Sequence, residues 1–449
     1  MYGLTIEKIA SICGGSLAGN ITDTGREPLS ISIDSRSVSP GDLFAAFRGE
    51  QTDGNEYLGK AFESGASACI TDRLPETEAA GTIILVDDVQ KALETIAAEF
   101  RKIIDIPVVG ITGSVGKTTA KEMIAAVLSV KYNVLKTDRN YNNQLGVPIT
   151  LSRIQKHHEI AVIEMGISKI DDMDLLGELV RPHAGVFTSI GKAHLEYLKD
   201  LNGVFREKTK MLNYMDENGA VVVNGDDPML NDISFKGDLI RCGISKNNDY
   251  TAENIVFTSD GRTVFDISGK YGINDVEINS FGMHYVLDSL LAAAVGRRFG
   301  LSGDEIKKGI ASFRNISRRG DIIRKNGFLI IDDSYNANPE SVRSAIDSML
   351  LLPGRHICVL GDMLELGPNE DLLHYETGKY AAEKGIDKMF TCGPLSSHIS
   401  DGYGGGKHYE DKERLISELR DLLRKDDIVL IKASRGMRFE KIAEALKSL

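Results

Sequence analysis

A chain of 449 residues with 42% hydrophobic and 26% charged residues can form about three folded domains of ~150 residues each, and its composition excludes disordered and fibrous classes. A net charge of -12 with no basic block argues against nucleic acid as the main partner, so acidic ligands must be held by local donors against the overall field. Five scattered cysteines without a C-x-x-C pair read as buried apolar residues; Met1 to Gly15 carries Glu7 and Lys8, and no later run reaches the ~18 apolar residues of a membrane helix, so a cytoplasmic, membrane-free protein is expected.

The first hundred residues read as short strands and helices of a small α/β domain, ending in Ile83-Ile84-Leu85-Val86 and an amphipathic helix near Val89 to Arg101. Pro107 marks a boundary, which places this domain at 1–105. The pattern then alternates: a strand Val108 to Thr112, a helix from Lys117 to Val130, strands Ile160 to Glu164 and Gly185 to Ile190, a helix Leu201 to Met215, and a strand Ala220 to Asn224. Such alternation predicts a mainly parallel sheet covered on both faces. A β-rich patch follows, with an Asp260-Gly261 hairpin turn, and helices near His284 to Phe299 and Gly303 to Phe313 close a central domain of 106–314. Beyond the polar stretch Arg314 to Gly320, a second alternating series predicts a smaller, doubly wound, Rossmann-like domain at 315–449: Phe328 to Ile331, Pro339 to Leu351, His356 to Leu360, Leu372 to Lys384, Lys388 to Cys392, Arg414 to Arg424 and Ile428 to Lys432. Gly404 to Gly406 reads as a surface loop.

The strand Val108 to Thr112 runs into Gly113-Ser114-Val115-Gly116-Lys117-Thr118-Thr119, after which helix formers resume, and this is the strand, loop, helix context of a phosphate loop. Glycines let backbone amides converge on phosphate oxygens, the helix N-terminus adds its positive dipole end, Lys117 neutralises the outer phosphates, and Thr118 can ligate Mg²⁺. Strict G-x-x-x-x-G-K-[ST] spacing is not met. Position 111 is Ile, and the earlier glycine is Gly110.

In a parallel sheet ligands gather beyond the carboxyl ends of strands. Glu164 ends an apolar strand there, and His194 follows the next strand; each reads as a Mg²⁺ ligand, against a solvated strand end for Glu164 and a plain loop imidazole for His194. Lys208 and Lys210 both read as solvent-facing from local pattern alone.

Thr112 to Thr119 with its displaced glycine, Asn140-Tyr141-Asn142-Asn143 before Gly146-Val147-Pro148, Glu164-Met165-Gly166 and Ala193-His194-Leu195-Glu196 together resemble the Mur ligases of peptidoglycan synthesis. Asp332-Asp333-Ser334-Tyr335-Asn336-Ala337-Asn338-Pro339-Glu340-Ser341, Gly361 to Gly367 and Lys432-Ala433-Ser434-Arg435 resemble the members that add D-alanyl-D-alanine; the D-N-P-R motif of third-residue ligases is missing. The resemblance implies three domains, for a UDP-sugar-peptide, for ATP, and for closure over the site. It implies that Ser35, Arg36, Asp53 and the Gly49 to Gly54 stretch lie at the UDP end. It assigns Asn143, His284, Asp288, Arg319, Asp333 and Tyr335 to the nucleotide, and Asn336, Asn338, Ser341, Lys432, Ser434 and Arg435 to substrate, with Arg319 and Lys432 meeting phosphate. Lys208 takes the place of the family's carbamylated lysine, completing with Thr118, Glu164 and His194 the ligands of Mg²⁺. Lys117, Glu164, His194 and Lys208 are then the catalytic set of a monomeric ligase that joins UDP-N-acetylmuramoyl-tripeptide to D-alanyl-D-alanine.

Two departures stand out. Where the family has His-Asn and a second Asn three residues on, this chain reads His284-Tyr285-Val286-Leu287-Asp288, and an ionised Asp288 at the adenine could only accept hydrogen bonds. Asn55 replaces a common His on the UDP side. The alternatives are another amide ligase of the superfamily, such as a third-residue ligase or folylpolyglutamate synthase, or a nucleotide-hydrolysing regulatory module.

Overall fold

The computed structural model describes residues 1–49, 52–76, 79–258, 261–315 and 318–449. Asp260 of the expected hairpin turn, residues 316–317 of the polar stretch and residues 50–51 of the Gly49 to Gly54 stretch lie outside the described residues.

Three sheets follow one another along the chain. Among the described residues the first has five strands, in the order Ser16–Gly19, Thr82–Leu85, Ala68–Thr71, Leu43–Ala45, Ile31–Ser32, parallel except for the first pair. The second has nine, and its parallel heart runs Asp238–Gly243, Ala220–Asn224, Ala184–Phe187, Val108–Thr112, Ile160–Glu164, Val134–Lys136. Tyr250–Phe257 joins its edge parallel to Asp238–Gly243, and Thr263–Gly269 then pairs antiparallel with Tyr250–Phe257 as a hairpin. The third has six, ordered Asp321–Lys325, Phe328–Asp332, Asp427–Lys432, Arg355–Gly361, Lys388–Cys392, Lys407–Tyr409, with only the first pair antiparallel.

The central strands are buried on both faces, which is why they read as unbroken apolar runs rather than alternating ones. Successive residues serve opposite layers: Ala161 and Ile163 join one core, Ile160 and Val162 the other. The first of these cores is continuous with the N-terminal domain, running from Met1, Ile96 and Phe100 to Val147, Leu176 and Val180. Buried Arg101 adds hydrogen bonds to the carbonyls of Val180, Ile104 and Arg181. The N-terminal and central domains are therefore packed as one body. The C-terminal sheet has two cores of its own, and Phe281 of the central domain joins one of them.

This arrangement sets carboxyl ends against carboxyl ends. Loops after Val108–Thr112, Ile160–Glu164 and Ala184–Phe187 face loops after Phe328–Asp332, Arg355–Gly361 and Asp427–Lys432, and a cavity of about 510 Å³ lies between them.

Candidate active site

The wall on the central side starts at the phosphate loop. Gly116 (φ +87) begins the helix Lys117–Leu128 with no side-chain cap, so the amides of its first turn have no partner within the helix and are open to an anion. The Lys117 ammonium lies over the loop, donating to the Gly113 carbonyl at 2.7 Å. Burial holds its pKa down, partly offset by Glu164.

Not every loop amide is free. Ser114 N–H donates to the Ser189 carbonyl at 2.8 Å and Val115 N–H to Ser189 Oγ at 3.0 Å, which narrows the anion donors to the start of the helix. Gly113 has φ +153, and a Cβ there would meet Thr188 Oγ1 at 2.0 Å. Gly110 is different: it sits in the strand, and a Cβ would meet Pro182 Cγ at 2.8 Å and Met165 Sδ at 2.9 Å. The loop's leading glycine is thus Gly113, and the displaced Gly110 is a packing glycine. The Thr112 hydroxyl is also turned inward, donating to the Met165 carbonyl at 2.9 Å, so Thr112 and Gly113 buttress the loop and do not line the cavity.

Glu164 is 1% exposed at its strand end. Its Oε1 accepts from Thr118 Oγ1 (3.1 Å) and from Asn142 Nδ2 (2.7 Å), while its Oε2 is buried without a hydrogen-bond partner. An orphaned carboxylate oxygen beside a threonine hydroxyl fits a divalent cation that completes its shell with phosphate oxygens, the usual habit of Mg²⁺. Nothing in the local sequence pattern of Asn142 shows that it reaches Glu164. Asn143 turns its side-chain oxygen to the Gly146 amide at 2.9 Å.

His194 lines the cavity in a left-handed backbone conformation (φ +54). Burial, then the charges of Lys117 and Lys208, push its pKa down to about 4, so the ring is neutral at physiological pH. Its Nδ1 pairs with Glu365 Oε2 of the C-terminal domain at 3.1 Å, which fixes the proton on Nδ1 and leaves Nε2 as a lone-pair donor. Among the described residues no three His, Cys, Asp or Glu side chains form a ready metal cluster. Glu164 and His194 therefore do not make a preformed cage.

Lys208 overturns its sequence reading. It is 1% exposed, and burial first, then the Lys117 charge, hold its pKa well below the ordinary lysine value. Lys210 stays partly exposed and pairs with Asp171 (2.7 Å), Asp174 (2.6 Å) and Glu207 (2.9 Å). A signal was available in the helix Leu201–Thr209: Lys208 lies four residues after fully buried Val204 and three before fully buried Met211, on the core face, and Lys210 does not.

The C-terminal wall carries Arg319, Asp333, Tyr335, Asn336, Asn338, Ser341, Lys432, Ser434 and Arg435. Arg319 lies over the Tyr335 ring at 4.0 Å with its Nε unpartnered, and Arg435 approaches the same ring at 5.6 Å. Lys432 holds Asp333 Oδ2 at 2.5 Å and the Asn336 carbonyl at 2.9 Å, whereas Arg319 Nε has no hydrogen-bond partner. Asn338 spends its side-chain oxygen on Ser341 N–H (2.8 Å), and Ser341 Oγ accepts from Asn338 N–H (3.0 Å); this reciprocal cap with Pro339 starts the helix Pro339–Met349.

Asp288 and the UDP-side residues lie elsewhere. Asp288 is 3% exposed, its Oδ1 lies 3.8 Å from where a Gly116 Cβ would stand, and it does not line the cavity, although His284 does. Burial raises its pKa well above the usual carboxylate range, which favours the neutral acid; in that form it has one donor and one acceptor, as an amide does, whereas the ionised form only accepts. Ser35, Arg36 and Asp53 are outside the cavity. Arg36 is paired with Asp34 (2.7 Å), and Asp53 accepts from Asn55 Nδ2 (2.9 Å), which ties the departing residue into its own domain.

A phosphate loop with an orphaned carboxylate on one sheet and a guanidinium with an unpartnered Nε on the facing sheet define a nucleotide-dependent phosphoryl-transfer enzyme. Three family models match in order along the chain: "Mur ligase family, catalytic domain" at residues 29–101, "Mur ligase middle domain" at 111–296 and "Mur ligase, glutamate ligase domain" at 318–435. The UDP-N-acetylmuramoyl-tripeptide–D-alanyl-D-alanine ligase of Bacillus subtilis (strain 168) is 35% identical over 456 residues, covering 99% of both chains. Crystal structure I of MurF from Acinetobacter baumannii superposes with TM-score 0.88 at 27% identity over 99% of each chain. MurF ligase from Thermotoga maritima in complex with ADP gives 0.81 at 28% identity, over 95% of this chain and 98% of that one. The chain belongs to the Mur ligase family and is an ATP-dependent ligase.

Proposed function

We propose that the enzyme joins the terminal carboxylate of UDP-N-acetylmuramoyl-tripeptide to the amine of D-alanyl-D-alanine, with ATP going to ADP and phosphate, as a cytoplasmic monomer. Residues 1–105 hold the UDP-sugar-peptide, 106–314 hold ATP, and 315–449 close over the nucleotide and dipeptide. One observation carries this reading: a single cavity is lined both by Gly116 to Thr118 with Glu164 and by Asn336, Asn338 and Ser341. The activity for which the Bacillus subtilis relative is named, matched over 99% of both chains, supports it.

A carboxylate is a poor electrophile. Transfer of the γ-phosphoryl group to its oxygen gives an acyl phosphate, whose carbonyl is then attacked by the dipeptide amine, and the C–O bond breaks to release phosphate. Lys117 and Arg319 offset charge on the transferring oxygens. Thr118, Glu164, His194 Nε2 and carbamylated Lys208 would hold Mg²⁺, which would supply charge neutralisation on the phosphates. Lys208 suits carbamylation because CO₂ adds only to a neutral amine, and burial shifts its balance toward that form. The amides of Asn336 and Asn338 offer donors for the dipeptide. Holding the reactants in register can lower the barrier by up to ~7–11 kcal/mol in favourable intramolecular comparisons.

The test is ADP release with the UDP-tripeptide carrying meso-diaminopimelate or lysine, each with and without D-alanyl-D-alanine. ADP that needs both a tripeptide and the dipeptide supports the reading. Steady hydrolysis with neither refutes it.

A further inference from the structure

We infer that Glu340 is a positioning residue that couples the dipeptide side of the cavity to the phosphate loop; the inference rests on the ligase reading above. Glu340 is the second residue of the helix Pro339–Met349, whose start is fixed by the Asn338–Ser341 cap, and the same turn presents Asn336 and Asn338 to the cavity. Its Oε1 accepts the Lys192 N–H at 3.0 Å, a bond from the C-terminal domain to the central one. Gly191 permits this approach, since a Cβ there would stand 3.1 Å from both Cγ and Cδ of Glu340.

The contact continues without a break into the phosphate loop. Gly191 N–H donates to Ser114 Oγ at 2.8 Å, and the same hydroxyl donates back to the Gly191 carbonyl at 3.1 Å. Two residues earlier, Ser189 holds the amides of Ser114 and Val115. Displacing Lys192 therefore pulls on the segment that sets the loop.

An acidic residue in a first helical turn serves the helix dipole from any exposed position. That role accounts neither for the bond to another domain nor for Oε2, which is buried without a hydrogen-bond partner. The bond to another domain is explained by a carboxylate placed to join the two walls of the cavity, and the orphaned Oε2 marks it as more than a surface helix charge. The Glu340–Lys192 bond ties the Asn336 turn to the phosphate loop, so a dipeptide held on that turn steadies the loop in its nucleotide-binding shape. Linkage makes the effect reciprocal: the dipeptide tightens nucleotide, and nucleotide tightens the dipeptide.

The experiment titrates a non-hydrolysable ATP analogue into the full-length enzyme by calorimetry, with and without saturating D-alanyl-D-alanine. The wild type should bind the analogue about tenfold more tightly with the dipeptide, within the usual range for such coupling. Glu340→Ala and Glu340→Asp, which remove or shorten the acceptor, should reduce this to less than about twofold while analogue affinity without dipeptide stays within about twofold of wild type. Glu340→Gln keeps an oxygen acceptor and should retain the coupling. Gly191→Ala leaves Glu340 in place but crowds it, and should lose the coupling as well, which covers the case of a Glu340→Ala protein that does not fold. No coupling in a wild type that still makes ADP only with both substrates overturns this inference alone, as does wild-type coupling in Glu340→Ala. A wild type that hydrolyses ATP with neither substrate overturns the ligase reading instead.

Discussion

Replacing Gly113 by Ala tests which glycine heads the phosphate loop. A methyl group there would lie 2.0 Å from Thr188 Oγ1 and 3.0 Å from Ser189 N, on a backbone at φ +153. Thr188 cannot simply step aside, because its hydroxyl holds the Val115 carbonyl at 2.5 Å. Overpacking costs ~1–3 kcal/mol and a strained φ a further ~1–3 kcal/mol, so relief must come from moving the loop. Even the low end, about 2 kcal/mol, weakens nucleotide binding roughly thirtyfold if the loop bears it. Gly110→Ala is the matched control: its methyl would press on Pro182 and the flexible Met165 thioether, behind the loop. Gly110→Ala should lose ~1–3 kcal/mol of stability yet bind ADP within about threefold of wild type. Calorimetric ADP titration and urea unfolding of both variants separate the two effects. The assignment of the loop is refuted if Gly110→Ala loses ADP and Gly113→Ala keeps it.

Two further predictions concern buried ionisable groups. Asp288→Asn should leave the KM for ATP within a few-fold of wild type, because neutral acid and amide offer the same donor and acceptor. A raised folded-state pKa gives stability that is fully present below the unfolded value of about 3.9 and is lost as pH rises through the folded one. The Asn variant has no such loss, so its stability advantage over wild type should grow by ~1.4 kcal/mol per pH unit across that window and then level off. A pH-independent difference in urea midpoints would contradict a protonated Asp288. Lys208→Ala should cost at least a hundredfold in ligase rate, and ¹³C-bicarbonate should give the wild type a carbamate resonance that Lys208→Ala lacks and Lys210→Ala keeps. A fully active Lys208→Arg would remove the case for carbamylation.

Much of the fold was readable in the chain because the central strands are covered on both faces. Ile160–Glu164, Ala220–Asn224 and Lys388–Cys392 form over the ranges read from the sequence, each built around a short apolar run. Asp321–Lys325 and Lys407–Tyr409 were missed: both are short edge strands, the one with only two apolar residues and the other with none but Tyr409, and their pairing is set by neighbours rather than by local pattern. The same division holds in the site. Residues grouped by a motif, such as Gly116 to Thr118, could be placed from sequence, since their chemistry is local. Lys208 and Lys210 sit in one charged run, and only the choice of helix face separates a buried amine from a paired surface ammonium. Asn142 on Glu164, Glu365 on His194 and Glu340 on Lys192 are side-chain contacts 22, 171 and 148 residues apart, across which a single sequence carries no pairing signal.

The central claim is activation of a carboxylate by phosphoryl transfer, and ¹⁸O in the terminal carboxylate of the UDP-tripeptide tests it most directly. With ATP and D-alanyl-D-alanine, mass spectrometry of the released phosphate should show one ¹⁸O atom per turnover, carried over when the amine displaces the acyl oxygen. Amide product with unlabelled phosphate would contradict an acyl phosphate.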